Sequence, residues 1–487
     1  MKPRRHILVE PEEQLYNPFI EPLLSSSRSA YQHAASLAEV LDPQTGLLRA
    51  SQKEHHADIA GELNTSLLIV VNATRRSGSG KTDDSNYAGA IGKHMLHTFY
   101  NSMFHHAEES LHRYGRVRML AWLPDDDKAS ILPRTVASRG KQAVQWDLLA
   151  NISEVAGGGS YQQSAISARR HSELDVESER LVTQRTPSDV VRDASSRRPP
   201  PTRPVSATFS LDEAGLAALH QSPDRPQWTD ELVELEERYK RAEFLTKSKQ
   251  GKRLRTLRNK RVAAYNGHRR AMDIAQRQRL LDRSEVMSST SQVPQDIPSG
   301  ELKPREEFAE SLRTDRGKLQ REYMLLVDKF IDDQRAFDHL PPVLAWDRRE
   351  VEPLWAEKDE FYPLKPLALL DFQPRSTVIL SRLDTPEKKL CFDHVTSTLL
   401  QHPGRSVVQG LEQMVHDGLD QFLEKVPSLR DPLQGGNPDL NDFRIRSLPL
   451  ELFVDLALAW ETWPFRPEIS TTQVRLNRLS HETFVND

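Results

Sequence analysis

The sequence predicts an α/β fold that closes with a small all-helical domain and is interrupted by a long charged insertion. Three observations predict it. Continuous apolar runs, HILVE (6–10), SLLIVV (66–71) and VRMLAWL (117–123), alternate with segments of helical spacing, the order expected of buried parallel strands and their crossovers. A stiff aromatic and proline segment, FYPLKP (361–366), precedes the apolar ALLDFQP and TVILSRL, which read as one or two short strands. The last hundred residues then carry apolar stripes at helical spacing.

Taken in order, residues 1–160 form the first part of the α/β domain, with helices expected over ASLAEVL and from Ala88 to His112. Residues 161–225 are rich in Ser, Arg and Pro and poor in apolar side chains, so they are expected to be a disordered linker. Residues 226–338 form a helical insertion. Its first helix takes Thr229 as N-cap and sets Leu232, Leu235 and Tyr239 on one face. It continues into KSKQGKRLRTLRNKR (247–261), with eight Lys or Arg and no acid, and resumes as one helix over REEFAESL to QRAF. Residues 339–385 return to the final strands. Residues 386–487 form the helical domain, with one stripe from Val407 to Phe422 and another from Leu452 to Trp463 that starts at Ser447 as N-cap.

Composition narrows the function classes. Over 487 residues the net charge is −4, so any nucleic-acid footprint must be local. The single cysteine, Cys391, excludes an intramolecular disulfide and suits a reducing compartment. No apolar run approaches the roughly 18 residues of a membrane span, so no membrane partner is expected. HILV is too short for a secretory h-region, and Glu10 comes too early for a mitochondrial presequence.

Three constellations bear on chemistry. GSGKT (78–82) follows a strand as a phosphate-binding loop does, but Arg75 stands where the first glycine must be and two carboxylates follow, which fits a surface loop better. His94 and His97 share a helical face without a third ligand, so no metal site is assigned. The basic run is the strongest signal. Lys252, Arg253, Arg255 and Arg258 can meet phosphates, since backbone contact needs charge without fixed geometry; the alternative is a solvated face balanced by the preceding acids.

EFYPLKPLALLDFQPRSTVILSRL (360–383) resembles the segment before the last sheet strand in the ribosomal-RNA adenine N6-dimethyltransferase family, with its aromatic-x-Pro-x-Pro signature, here one residue wider. CFDHVTSTLLQHPGRSVVQGLEQM resembles the helix pair opening that family's C-terminal domain, and RIRSLPLELFVDLALAW its closing helix, with Arg444, Leu448, Phe453 and Leu456 in the matching places. RMLAWLPDDDKASILPRTVASRGK is most similar to the fungal mitochondrial transcription factor B branch.

The resemblance implies a Rossmann-like S-adenosylmethionine methyltransferase sheet. Glu10 would bind the cofactor ribose, and Asn72 would be the catalytic and cofactor-contacting corner. Phe361, Pro363 and Pro366 would wall the target-base pocket. The family's first strand and glycine-rich turn have no counterpart in the chain, so the expectation is either a truncated sequence or an incomplete cofactor site. The corner Asn72-Ala73-Thr74-Arg75 keeps the asparagine but lacks the family's proline and aromatic. These departures imply a non-catalytic mitochondrial transcription initiation factor that binds promoter DNA and mitochondrial RNA polymerase. The alternatives are an active S-adenosylmethionine-dependent dimethyltransferase of ribosomal RNA and an RNA-binding ribosome assembly protein.

Overall fold

The computed structural model describes residues 5–10, 13–25, 30–42, 45–48, 63–74, 85–105, 111–158, 174–186, 211, 216, 226–290, 302–361, 366–415 and 417–466. Within them the chain is mixed α/β. β1 (His6–Val9), α1 (Glu13–Leu24), β2 (Tyr31–Ala34) and α2 (Leu37–Leu41) come first, with β1 and β2 paired in parallel. β3 (Leu63–Asn72), α3 (Ser85–His105), β4 (Arg116–Pro124), α4 (Lys141–Leu149) and β5 (Ala150–Gly157) follow; β3, α3 and β4 fall where the sequence pattern places them, and α4 and β5 were not expected from it. β6 (Leu354–Trp355) and β7 (Leu367–Pro374) complete a five-stranded sheet of order β3-β4-β7-β5-β6. The sheet is mixed: β3 is parallel to β4 and β5 to β6, but β7 runs antiparallel to both β4 and β5.

Of the three runs read as buried parallel strands, β4 comes nearest: Val117, Met119, Ala121 and Leu123 are buried on one face, but Arg118 is exposed on the other and β4 is parallel to β3 and antiparallel to β7. β1 and β3 each pair on one side, and Leu8, Val9, Leu68 and Val70 remain exposed. TVILSRL is not a strand: Thr377 accepts the N–H of Leu380 and caps α10 (Val378–Ser381), whose local hydrogen bonds override β-branched propensity.

Part of the expected linker is ordered as well. α5 (Leu174–Arg185) turns Leu174, Ser178 and Val182 inward at helical spacing, and Ser178 donates to Asp347 at 2.9 Å. The rest of that stretch lies outside the described residues, apart from Thr186, Leu211 and Leu216.

The insertion begins with α6 (Trp228–Lys240), in which Thr229 is the buried second residue and not the cap. α7 (Lys249–Thr290) follows, then α8 (Leu302–Gly317) and α9 (Arg321–Asp338). The last two replace the single expected helix; the break falls after Gly317, where Gln320 is extended. α9 packs on α7 through Val327, Phe330 and Ile331 against Ala271 and Ile274, and α6 meets α7 through Leu232, Leu235, Leu254 and Leu257.

The C-terminal helices are α11 (Pro386–Leu399), α12 (Val407–Met414), α13 (Leu419–Glu424) and α14 (Leu450–Glu461). Gly418, at φ 76°, splits the stripe expected from Val407 to Phe422 into two helices. Pro449, not Ser447, precedes α14, since Ser447 closes a 3₁₀ turn over 445–447.

One apolar cluster joins these helices to the sheet. Phe104 of α3 meets Phe392 of α11, and Trp146 of α4 lies 4.7 Å from Phe372 of β7. At its margin the Asp393 carboxylate accepts from Tyr100 at 2.9 Å and Gln145 at 2.6 Å and pairs with His105 at 2.8 Å. Burial pushes that carboxyl up, but the His105 hydrogen bond and charge, with Lys141, bring it below the ordinary carboxylate range.

A second junction is ionic. Asp333 of α9 accepts from Thr135 Oγ1 at 2.8 Å and from the N–H of Val136 at 2.8 Å, beside β4's return loop. Its neighbour Asp332, fully buried, pairs with Arg444 at 3.3 Å and Arg446 at 2.6 Å. Arg139 then donates to the carbonyls of Arg446 and Leu448. Sheet, insertion and C-terminal helices meet here.

Removing one partner of a buried ion pair leaves the other charge desolvated and uncompensated. Asp332→Ala is therefore expected to lose about 3–5 kcal/mol of stability by urea unfolding, while Asp273→Ala on the exposed face of α7 stays within about 0.5 kcal/mol. His268 lies buried against Phe330, and burial lowers its pKa to about 4. The neutral ring thus favours the fold above the unfolded pKa, and that contribution drains away as pH falls from about 6.5 to about 4. Across that window His268→Leu is expected to show a stability slope shallower by about one proton; an unchanged slope would refute the assignment.

Candidate nucleic-acid interface

β3, β4 and β5 end on one side of the sheet at Asn72, Pro124 and Gly157, and antiparallel β7 enters from that side after Pro366. This carboxyl edge is where open α/β sheets bind ligands. Asn72 is paired in register with Trp122, and the Trp122 ring meets Phe361 edge-on at 5.6 Å. Pro366 accepts the N–H of Asp125 at 3.0 Å. The structure therefore brings Asn72, Phe361 and Pro366 to one edge, the first two through Trp122 and Pro366 through Asp125. Pro363 lies outside the described residues, as does the stretch 75–84 that includes GSGKT.

Sequence reading passed over Trp122. Strict alternation in VRMLAWLP carries the signal, because it places Trp122 on the face opposite Val117, Met119 and Ala121. Beneath the edge, fully buried Lys128 pairs with Asp125 and Glu154 and donates to the Gly158 carbonyl at 3.3 Å. A lysine can be held without solvent here because two carboxylates and a carbonyl accept its N–H groups.

Asn72 does not present a free acceptor. Its Oδ1 receives both the N–H of Thr74, at 3.1 Å, and the Thr74 hydroxyl, and these use the two lone-pair directions of the carbonyl. Glu10 stands at the end of β1 in the two-stranded sheet, with its N–H on Ala34 and its carbonyl facing His33 Nε2 at 3.0 Å.

The basic run is sorted by the faces of α7. Leu254 and Leu257 turn inward against α6. Arg253 forks onto Glu231 at 2.7 and 2.5 Å, and Arg258 onto Glu236 at 2.8 and 2.7 Å. Those hydrogen bonds hold both glutamates below the usual carboxylate range and raise both guanidiniums. Lys260 covers the ring of Trp228 and Arg261 donates to the Leu211 carbonyl. Lys252 and Arg255 remain exposed, with no ionic partner among the described residues. Arg269 and Arg270, exposed further along the same side, were missed because they lie beyond the dense run. From Lys252 to Arg270 is about 27 Å of helix, most of one turn of duplex DNA at about 34 Å.

Comparison with protein-family models, with curated proteins and with solved structures returns no match. No helix among the described residues is long and apolar enough to cross a membrane.

Four free cations and two paired ones give different salt signatures. Changing Lys252, Arg255, Arg269 and Arg270 together to Gln is expected to flatten the log–log salt slope of duplex binding by about 3–4, at roughly 0.9 per phosphate. Arg253→Gln with Arg258→Gln should move it by less than about 1, because each already spends its charge on a glutamate. Fluorescence anisotropy over a salt series reads both; equal shifts in the two variants would remove the distinction.

Proposed function

We propose that the chain is a mitochondrial transcription initiation factor of the ribosomal-RNA adenine dimethyltransferase family, binding promoter DNA and mitochondrial RNA polymerase without transferring methyl groups. The observation that carries the reading is the closed corner at Asn72. A target adenine amine needs a carbonyl to receive it, and that carbonyl is held by Thr74. The exposed cations of α7 support the nucleic-acid part, since they offer phosphate contacts without base readout.

Sheet order supports the fold part of the reading by analogy alone: β7 runs reversed between two strands that are parallel to each other, whereas the separate β1–β2 pair departs from a single continuous methyltransferase sheet. The described residues do not fit a bound S-adenosylmethionine. Of the positions the resemblance assigns, Glu10 stands at a strand end, but Asn72 has its carbonyl occupied, so no methyl-transfer step is derived.

The second reading, an active dimethyltransferase of ribosomal RNA, is favoured by Trp122 and Phe361 beside Asn72. Aromatic faces there could stack a base, at about 1–3 kcal/mol.

Two assays separate the readings. Run-off transcription from a linear mitochondrial promoter by mitochondrial RNA polymerase is expected to depend on the chain. Labelled methyl transfer to small-subunit ribosomal RNA is expected to stay at background, and calorimetric titration to show no low-micromolar binding of S-adenosylmethionine. Methyl incorporation without transcription support would establish the second reading instead.

A further inference from the structure

From Lys249 to Met272, α7 carries no acidic residue, and one side of that length is left bare by its neighbours. At about 100° per residue, Lys252, Arg255, Asn259, Asn266, Arg269 and Arg270 fall within a sector of roughly 140°, and all six are exposed. We propose that this face crosses the major groove of B-form DNA, with Asn259 and Asn266 reading adenine edges and the cations at either end holding the two backbones. The proposal rests on the nucleic-acid part of the promoter reading and names what that surface recognises.

Packing behind and beside the helix defines the face. Leu254 and Leu257 turn to α6, and His268 turns to Phe330 of α9, all on the opposite side. Arg253 and Arg258, at the two margins, are held by Glu231 and Glu236. The next acid along the helix, Asp273, comes about one turn after the last free cation and is itself paired with Arg277 at 2.8 Å.

Charge on this face is grouped at its ends. Lys252 and Arg255 stand at one end and Arg269 and Arg270 at the other, and the exposed middle is neutral: Asn259, Val262, Ala263 and Asn266. A straight rod laid across a groove meets base edges at its middle and a sugar-phosphate backbone at each end, so the order of residues matches the surface it would cover. Asn259 and Asn266 are about 10.5 Å apart along the helix, within the roughly 12 Å width of the major groove, which admits one α-helix. An asparagine carboxamide pairs in two-pronged fashion with adenine N6 and N7, and neither side chain has a hydrogen-bond partner among the described residues. Val262 and Ala263 between them suit the thymine methyl. Other nucleic acids fit less well. The major groove of an RNA duplex is too deep and narrow to be read by side chains, and single strands are gripped by stacking on aromatic rings, of which this sector has none.

The test starts from a pool of random DNA duplexes selected on the full chain. Recovered sites are expected to share two A·T pairs within about four base pairs of one another. By fluorescence anisotropy, Asn259→Ala and Asn266→Ala should each weaken the selected duplex about tenfold and leave both a scrambled duplex and the salt slope unchanged. The double variant should bind the selected and scrambled duplexes alike. Alanine favours an exposed helix position, so neither change threatens the fold. Recovery of random sequence, an undiminished preference in the double variant, or equal binding of the same sequence as duplex RNA would overturn the proposal. Site selection without run-off transcription would refute the promoter reading alone, and run-off transcription without site selection would refute base reading by α7 alone.

Discussion

Two adjacent carboxylates on one helix hold the three parts of this protein in register. Asp332 and Asp333 are neighbours on α9, so their side chains leave the helix about 100° apart. One points to Arg444 and Arg446 of the C-terminal loop, the other to Thr135 and Val136 beside the sheet. Neither can be left without its partner, because a desolvated charge costs several kcal/mol. α9 therefore cannot slide or rotate without breaking one set, and α7, packed along it, inherits the same position. The orientation of the basic side of the insertion relative to the sheet edge follows from two residues that touch neither.

Much of the fold was legible because its signal is local. Apolar runs marked β1, β3 and β4, and helical spacing marked α3, α6 and α14. The failures have a common cause. TVILSRL reads as a strand by propensity, yet one threonine cap settles it as a helix. α5 sits in a polar, arginine-rich stretch and is recognisable only by its partners, Asp347 and Arg349, some 170 positions on. The exposure of β3 depends on how many neighbours it has, which no window of sequence contains.

The position of the candidate residues was legible and their pairing was not. Phe361 and Pro366 of FYPLKP lie at the same sheet edge as Asn72, but the hydroxyl two residues away that occupies Asn72 is a matter of geometry. The basic run pointed to α7. Which of its charges are free was decided by Glu231 and Glu236 on α6, residues that sequence reading treated as a diffuse acidic balance. Arginine count marked the helix; only the fold could separate a fork on a glutamate from a charge facing water.

The length of α7 has a mechanical meaning. Its 42 residues extend about 63 Å, with the free cations on the first half and the Arg279–Arg283 clasp on Asp338 in the second. α6 steadies the outer end through a small leucine cluster, while the inner end is seated on α9. A long stiff rod held firmly at one end is a lever. Force applied to its outer arm would reach the Asp338 clasp multiplied by the ratio of the arms.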